Sequence, residues 1–170
     1  MSLLISVSVT VPAFGEMSGV AAGYGLGNMN PHEHFGKIRR NRGYEFFYLS
    51  YFHGFQLIPD LYLVLEPFTA VSYRSRVGVD LGLGLLLRYN LWNSQSAKNS
   101  FFVNLGTGGV LTTVSFTDQP NHALFILQGG VGFKWDKYFI ELRHRHYSNA
   151  GTARPNKGVE TEVLTVGFHF

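Results

Sequence analysis

Apolar and polar residues alternate with a period of two along eight stretches of the chain from residue 19 onward. Successive side chains of a β-strand point to opposite faces, so this period predicts strands rather than helices. The predicted strands are residues 19–28, 43–55, 61–73, 76–91, 99–115, 123–135, 137–148 and 159–170. Eight consecutive amphipathic strands predict one domain of the all-β class, an eight-stranded antiparallel β-barrel.

The fourth predicted strand shows most clearly how its two faces differ. One face carries large apolar side chains: Val77, Val79, Leu81, Leu83, Leu85, Leu87, Tyr89 and Leu91. The other carries small or polar residues: Gly78, Asp80, Gly82, Gly84, Arg88 and Asn90. The sixth and eighth predicted strands repeat this division.

The small and polar face is too charged for the dry core of a soluble barrel. Besides Asp80 and Arg88 it holds Gln128, Glu141, Arg143 and Arg145. We therefore predict a transmembrane barrel with its apolar face toward lipid. Eight strands leave an interior that side chains fill, so no pore is expected. A soluble lipid-binding barrel is a weaker alternative, because it would place the large apolar face inside.

The composition agrees with a membrane barrel and excludes several other classes. The chain has 170 residues, with 45% hydrophobic and 15% charged residues, 20 Gly and 26 aromatics. No apolar run approaches the roughly 18 residues that a transmembrane helix needs. The absence of cysteine excludes disulfides, thiolate chemistry and Cys-ligated zinc. The glycine-rich runs 82–84, 106–109 and 129–132 lack the context of nucleotide loops and are expected to relieve crowding or to permit bending in a small barrel.

Residues 1–15 allow two interpretations. Ala13-Phe14-Gly15 before Glu16 has the small-x-small form of a signal-peptidase site, which indicates the remainder of a leader. The alternation of Ile5, Val7, Val9 and Val11 with polar residues would instead fit an additional strand. We favour the leader, which leaves residues 16–170 as the barrel.

The last residue, Phe170, and the apolar residues at alternate positions before it resemble the C-terminal signature of bacterial outer-membrane proteins. An even strand number places both termini on the periplasmic side, so the loops after odd-numbered strands face outward. Those loops hold eight of the fourteen basic residues: Lys37, Arg39, Arg40, Arg42, Arg74, Arg76, Arg154 and Lys157. They are either a solvated rim or a surface that attracts the phosphates of lipopolysaccharide.

The seventh and eighth predicted strands carry polar groups on the lipid-facing side. In the seventh strand the charged phase belongs to the lumen, so His146 and Ser148 point toward lipid. In the eighth strand Glu160 and Glu162 share the phase of the apolar residues. Residues i and i+2 of a strand lie about 6.6 Å apart and neighbouring strands about 4.8 Å apart. A serine, a histidine and a carboxylate are therefore within reach of one another.

This grouping matches the requirements of nucleophilic catalysis. A serine needs a base, and the base needs a third group that fixes its tautomer. Asn149, Gly151 and Asn156 follow closely and could donate to an oxyanion. The alternative is that all are interfacial polar groups. The residues alone also leave the acid open, because a register with Ser148 opposite Glu160 would put Glu162 opposite His146.

The segment His146-Tyr147-Ser148-Asn149-Ala150-Gly151, with Pro155-Asn156 and Gly158-Val159-Glu160, resembles the signature of the PagL-type outer-membrane lipid A 3-O-deacylases. The resemblance covers residues 146–160. It implies Ser148 as the nucleophile, His146 as the base and Glu160 as the orienting acid. It also implies that Asn149, Gly151 and Asn156 lie near the oxyanion.

From the motif and the strand phases we predict an outer-membrane serine esterase that removes the 3-O-linked acyl chain of lipid A. Arg74, Arg76, Arg154 and Lys157 are candidates for contacts with the phosphorylated head group. Lipopolysaccharide and membrane lipid are the expected partners, with no nucleic acid, metal or organic cofactor, and a homodimer is left open. His32-Glu33-His34 is interpreted as a solvated loop, because a zinc site normally needs three ligands in fixed geometry. The alternative function is a structural or lipopolysaccharide-binding barrel without catalysis.

Overall fold

The structure is a computed structural model, and it describes residues 16–28, 44–74, 76–93, 98–116, 119–156 and 158–170. It contains eight β-strands: β1 (Glu16–Asn28), β2 (Tyr44–Ile58), β3 (Leu61–Arg74), β4 (Gly78–Asn93), β5 (Asn99–Thr112), β6 (Ala123–Trp135), β7 (Tyr138–Ser148) and β8 (Val159–His169). Each strand pairs antiparallel with the next, and β8 pairs with β1 to close the barrel. The predicted eight-stranded antiparallel barrel is confirmed.

Three predicted strand ends differ from the structure by three residues. β1 begins at Glu16 rather than at residue 19. β2 continues to Ile58, and Pro59-Asp60 form the tight turn to β3, with Asp60 at φ +66°. β5 stops at Thr112, whose hydroxyl accepts a hydrogen bond from the Val114 N–H at 3.0 Å just beyond the strand. The predictions for residues 1–15 and 29–42 lie outside the described residues. Among the residues that the structure describes, no helix is long and apolar enough to cross a membrane.

The outer wall of the barrel carries the large apolar face that the sequence predicts. In β4 the exposed side chains are those at odd positions, from Val79 to Leu91, whereas Asp80 and Arg88 are buried. The same alternation runs through β7, where Ile140 and Leu142 are exposed and Glu141 and Arg143 are buried. A continuous apolar exterior around a polar interior is the arrangement of a membrane barrel.

The interior is more aromatic than the sequence pattern indicated. One buried cluster, toward the end that carries the loops after odd-numbered strands, includes Tyr44, Phe46, Tyr48 and Phe68. A second cluster, toward the other end, includes Ala21, Phe52, Val64, Leu86, Phe102 and Phe139. We call the first end the outer end.

Interior glycines make room for these rings. A Cβ added at Gly82 would lie 2.2 Å from Cζ of Phe68, and one at Gly132 would lie 2.2 Å from Cζ of Phe102. Since such separations are far below van der Waals contact, a larger residue at either position would displace the ring. The interpretation of these glycines as relief of crowding therefore holds at Gly82 and Gly132.

A network of charged groups fills the space between the two aromatic clusters. The Arg143 guanidinium donates to Glu141 Oε1 and Oε2 at 2.8 and 2.9 Å and also binds Glu66. Glu141 further accepts a hydrogen bond from Asn104 Nδ2 at 2.8 Å. The Arg145 guanidinium stacks over the Tyr48 ring at 4.4 Å from its centroid. Because Arg143 holds two buried carboxylates, the network depends on that residue.

Replacement of Arg143 by methionine is expected to destabilise the barrel by about 3–5 kcal/mol, because buried Glu66 would lose its cation. Buried Glu141 would lose its two hydrogen bonds from Arg143 and keep only Arg88, at 3.8 Å, as a cationic partner. Urea unfolding of the protein folded into lipid vesicles measures this free energy. Lys137→Ala, in the exposed turn between β6 and β7, is the control and should change the free energy by less than about 0.5 kcal/mol. Equal unfolding free energies for Arg143→Met and the unaltered protein would contradict this account of the interior.

Candidate active site

The candidate site lies at the outer end of β7 and β8, on the lipid-facing side. Tyr147 is fully buried, whereas His146 and Ser148 on either side of it are partly exposed. In β8, Val159 and Thr161 are buried and Glu160 between them is partly exposed. The alternation of both strands therefore places His146, Ser148 and Glu160 on the outer wall rather than in the lumen.

The register of the two strands determines which glutamate faces which histidine. His146 is paired with Glu160, and His144 is paired with Glu162. His146 Nδ1–H donates to Glu160 Oε1 at 2.6 Å. The alternative register, with Glu162 opposite His146, is not the one that the chain adopts. With Nδ1 carrying the proton, Nε2 of His146 is the nitrogen with a free lone pair.

Ser148 lies two residues beyond His146 on the same face of β7. Its Oγ accepts a hydrogen bond from the Ala150 N–H at 3.4 Å. Among the described residues no hydrogen bond joins Ser148 to His146, and the two Cα atoms of such an i, i+2 pair are about 6.6 Å apart. Catalytic hydrogen bonds in a ligand-free site are often long and shorten when the substrate binds.

Asn149 organises the loop between β7 and β8. It is fully buried, and its Oδ1 accepts the Gly151 N–H at 2.9 Å. Its Nδ2 donates to the carbonyls of Ala153 and Pro155 at 3.0 and 3.3 Å. The polar atoms of Asn149 and the N–H of Gly151 are thus occupied within the loop. Their observed contribution is to the shape of the turn that follows Ser148.

Asn156 differs from Asn149 in that, among the described residues, only the oxygen of its side-chain amide is hydrogen-bonded. Its Oδ1 accepts the Asn149 N–H at 3.2 Å and a hydrogen bond from Gln119 Nε2 at 2.7 Å. Both bonds engage the oxygen of the amide, so its Nδ2 remains available as a donor. Gln119 is buried and comes from the loop between β5 and β6. Sequence reasoning missed Gln119, because no periodicity or motif distinguishes a loop glutamine that becomes adjacent only when the barrel closes.

Residues 19–169 match the family described as lipid A 3-O-deacylase (PagL). The chain belongs to this family. Among solved structures it is similar to the outer membrane enzyme PagL, with 15% identity, a TM-score of 0.64, and coverage of 91% of this chain and 99% of that one. It is also similar to Neisserial surface protein A (NspA), with 13% identity, a TM-score of 0.65, and coverage of 91% and 95%. No curated protein matches the chain significantly.

These comparisons show where the protein is located in the cell more directly than they show which reaction it catalyses. Membership of the PagL family and the barrel fold place the chain in the bacterial outer membrane. At 15% and 13% identity the two solved structures share the fold alone. One of them is named as an enzyme and the other as a surface protein. The fold therefore does not by itself distinguish a catalytic barrel from a non-catalytic one.

The basic residues proposed for head-group contacts fall on opposite sides of this PagL-family barrel. Arg154 is exposed in the loop between β7 and β8, next to the candidate site. Arg74 ends β3 and Arg76 precedes β4. These two strands lie three or four strands from β7 and β8 around the barrel. The Arg76 guanidinium donates to the Ser115 carbonyl. The structure brings Arg154 to the site but not Arg74 or Arg76, and Lys157 is outside the described residues.

The question of a metal site concerns two groups of residues. His32-Glu33-His34 lies outside the described residues. Within the described ranges no group of three or more His, Asp or Glu side chains is arranged to hold a metal ion.

Gly158 supports the His146 ring, and sequence reasoning assigned it no role. Its φ is +75°, and an added Cβ would lie 2.5 Å from Cε1 of His146. Two independent features thus require glycine there: the left-handed backbone and the imidazole against its Cα. Gly151 has a similar φ of +79°, but an added Cβ there would meet nothing within 4 Å.

Gly158→Ala is expected to reduce fatty-acid release from lipid A by on the order of 10²-fold, because the methyl group displaces the imidazole by more than a small adjustment. Gly151→Ala imposes similar backbone strain without touching His146 and should cause a much smaller loss. The assay is release of hydroxy fatty acid by the purified, detergent-solubilised protein. Equal losses in the two variants would show that strain in the loop, rather than contact with His146, explains the effect.

Proposed function

We propose that this PagL-family protein is a serine esterase that hydrolyses the 3-O-linked acyl chain of lipid A at the outer leaflet. The observation that carries the proposal is the 2.6 Å bond from His146 Nδ1 to Glu160 Oε1, on the lipid-facing wall beside Ser148. A hydrogen-bonded imidazole–carboxylate pair next to a serine supplies the base and the orienting group that a serine nucleophile needs. Its position on the outer wall suits a substrate that is itself part of the membrane.

In the proposed reaction Ser148 Oγ attacks the carbonyl carbon of the acyl ester while its proton passes to His146 Nε2. Glu160 holds the Nδ1–H and stabilises the imidazolium that forms. Collapse of the tetrahedral intermediate breaks the bond to the sugar oxygen, which takes the proton from His146. A water molecule, deprotonated by His146, then attacks the carbonyl carbon of the acyl-serine. The bond from that carbon to Ser148 Oγ breaks, and Oγ takes the proton back from His146. The products are a fatty acid and a free hydroxyl on the sugar.

The oxyanion would be stabilised mainly by Asn156. Its Nδ2 is the amide nitrogen left free when Oδ1 accepts from Gln119 and Asn149. Asn149 and Gly151 contribute by fixing the loop geometry through the Gly151 N–H to Asn149 Oδ1 bond. A preorganised donor aimed at a developing oxyanion contributes roughly 10²–10³ in rate.

The acyl chain would descend from Ser148 along the apolar wall. β6 borders β7 on this side and offers Leu127, Gly129 and Val131 on its lipid-facing phase. Gly129 lies between Leu105 of β5 and His144 of β7 and leaves a depression between them. Further along, Val131, Leu142 and Leu164 line an apolar groove of about 480 Å³. The exposed Arg154 would contact the phosphorylated sugar.

Ser148→Ala is expected to abolish release of 3-hydroxy fatty acid, with a loss of at least about 10³-fold, because the nucleophile is removed. The barrel should still fold, as judged by its altered gel mobility before and after heating. Ser115→Ala, an exposed serine of the loop between β5 and β6, is the matched control and should remain active. Undiminished release by Ser148→Ala would refute the proposed mechanism.

Gly129→Val should raise KM for substrates with long acyl chains by roughly tenfold, because the side chain fills the depression along the path of the chain. An added Cβ at Gly129 has its closest contacts at 3.6 and 3.7 Å, so the barrel itself accommodates it. Gly109→Val is the matched control: it is a lipid-facing strand glycine with equal freedom, but it lies on β5, two strands from Ser148. Equal KM values for Gly129→Val and the unaltered protein would contradict this path.

A non-catalytic lipopolysaccharide-binding barrel is the second candidate, favoured by the likeness to a structure named as a surface protein. It makes a different prediction for the purified protein. A fluorophosphonate probe would then leave Ser148 unmodified, whereas the esterase mechanism requires its covalent capture.

A further inference from the structure

A second imidazole–carboxylate pair lies directly beside the first. His144 Nδ1–H donates to Glu162 Oε1 at 2.6 Å. His144 Nε2 lies 2.9 Å from Glu160 Oε2, on the carboxylate whose other oxygen holds His146. The four side chains form a continuous chain of contacts in the order Glu162, His144, Glu160 and His146. The triad of the proposed mechanism uses only the last two of them.

His144 and Glu162 lie too deep along the lipid-facing wall to be explained as solvated surface groups. The register places His144 and Glu162 one step deeper along the wall than His146 and Glu160. The next pair on the same face is Leu142 with Leu164, both half-exposed on the apolar wall. Ionisable groups on the lipid-facing side of a barrel are destabilising, increasingly so with depth. We therefore expect His144 and Glu162, which lie beneath the catalytic pair, to have a function that outweighs their cost in stability.

The carboxylate of Glu160 shows what that role is. Its Oε1 accepts the hydrogen bond from His146, but its Oε2 is buried and accepts no well-directed hydrogen bond from the described residues. The 2.9 Å contact with His144 Nε2 is thus what fixes the second oxygen. Without a cation between them, Glu160 and Glu162 would be two like charges at i and i+2 on one face.

We propose that His144 and Glu162 are positioning residues that hold the Glu160 carboxylate in line with His146. This inference rests on the proposed function. Glu162 orients the His144 ring through Nδ1, and His144, as a cation shared by two carboxylates, restrains Glu160 through Nε2. The arrangement acts through Glu160 and touches neither the ester nor the serine.

The test is steady-state hydrolysis of lipid A by purified, folded variants. His144→Leu should lower kcat about 10- to 100-fold, the usual loss when a supporting partner of a site residue is removed, with KM within about twofold. Glu162→Gln should give a smaller loss in the same parameter. Leu85→Ala, a lipid-facing residue of β4 on the other side of the barrel, is the control and should match the unaltered protein. A raised KM at unchanged kcat would contradict the inference, since it would mean that His144 binds the substrate.

A double-mutant cycle separates positioning from a general structural effect. In a Glu160→Ala background, His144→Leu should cause no further loss, because its only target is absent. Full additivity of the two losses would overturn the inference. Should His144→Leu fail to fold, the same cycle with Glu162→Gln decides the question in the same way.

Absence of hydrolysis by the unaltered protein would refute the proposed function itself, whereas normal kcat in both single variants would refute only the role of His144 and Glu162.

Discussion

The register between β7 and β8 is the constraint on which the candidate site depends. It pairs His146 with Glu160, and it sends the intervening residues into the lumen. A slip of one residue would reverse the faces of β8, burying Glu160 and exposing Val159 and Thr161. A slip of two would keep the faces but pair His146 with a different residue. The chemistry of the outer wall is therefore determined by backbone pairing as much as by the side chains themselves.

The interior maintains this register. Arg143 and Arg145 alternate with His144 and His146 along β7, so the same strand serves the lumen and the site. The Arg143 guanidinium is bound to Glu141 on its own strand and to Glu66 on β3, across the barrel. Any shift of β7 would break these buried charge-assisted bonds. The polar lumen thus fixes the height and rotation of the strand that carries His146 and Ser148.

The sequence was sufficient for the fold because alternation in a barrel is dictated by lipid outside and a polar interior. It also placed His146, Ser148 and Glu160 on one face, since phase follows directly from position in a strand. The residues alone could not decide between Glu160 and Glu162 as the acid, because the register depends on the length and conformation of the loop between the strands.

The roles of Gln119 and Gly158 could not be predicted from the sequence either. Both residues reach the site through the conformation of loops, which the sequence pattern does not determine. The sequence pattern underestimated how many aromatic side chains fill the lumen. The pattern is clearest on β4, whose lumen-facing residues are small, and aromatic side chains of other strands occupy the space beside them.

The central claim is that the lipid-facing pair of His146 and Glu160 activates Ser148 against an acyl ester of lipid A. Mass spectrometry of lipid A from bacteria that produce either this protein or its His146→Ala variant tests the claim most directly. We predict that lipid A from cells with the unaltered protein lacks the mass of one 3-hydroxy fatty acid, whereas lipid A from cells with the folded variant retains it. Identical lipid A in both strains, with both proteins folded in the outer membrane, would contradict the claim.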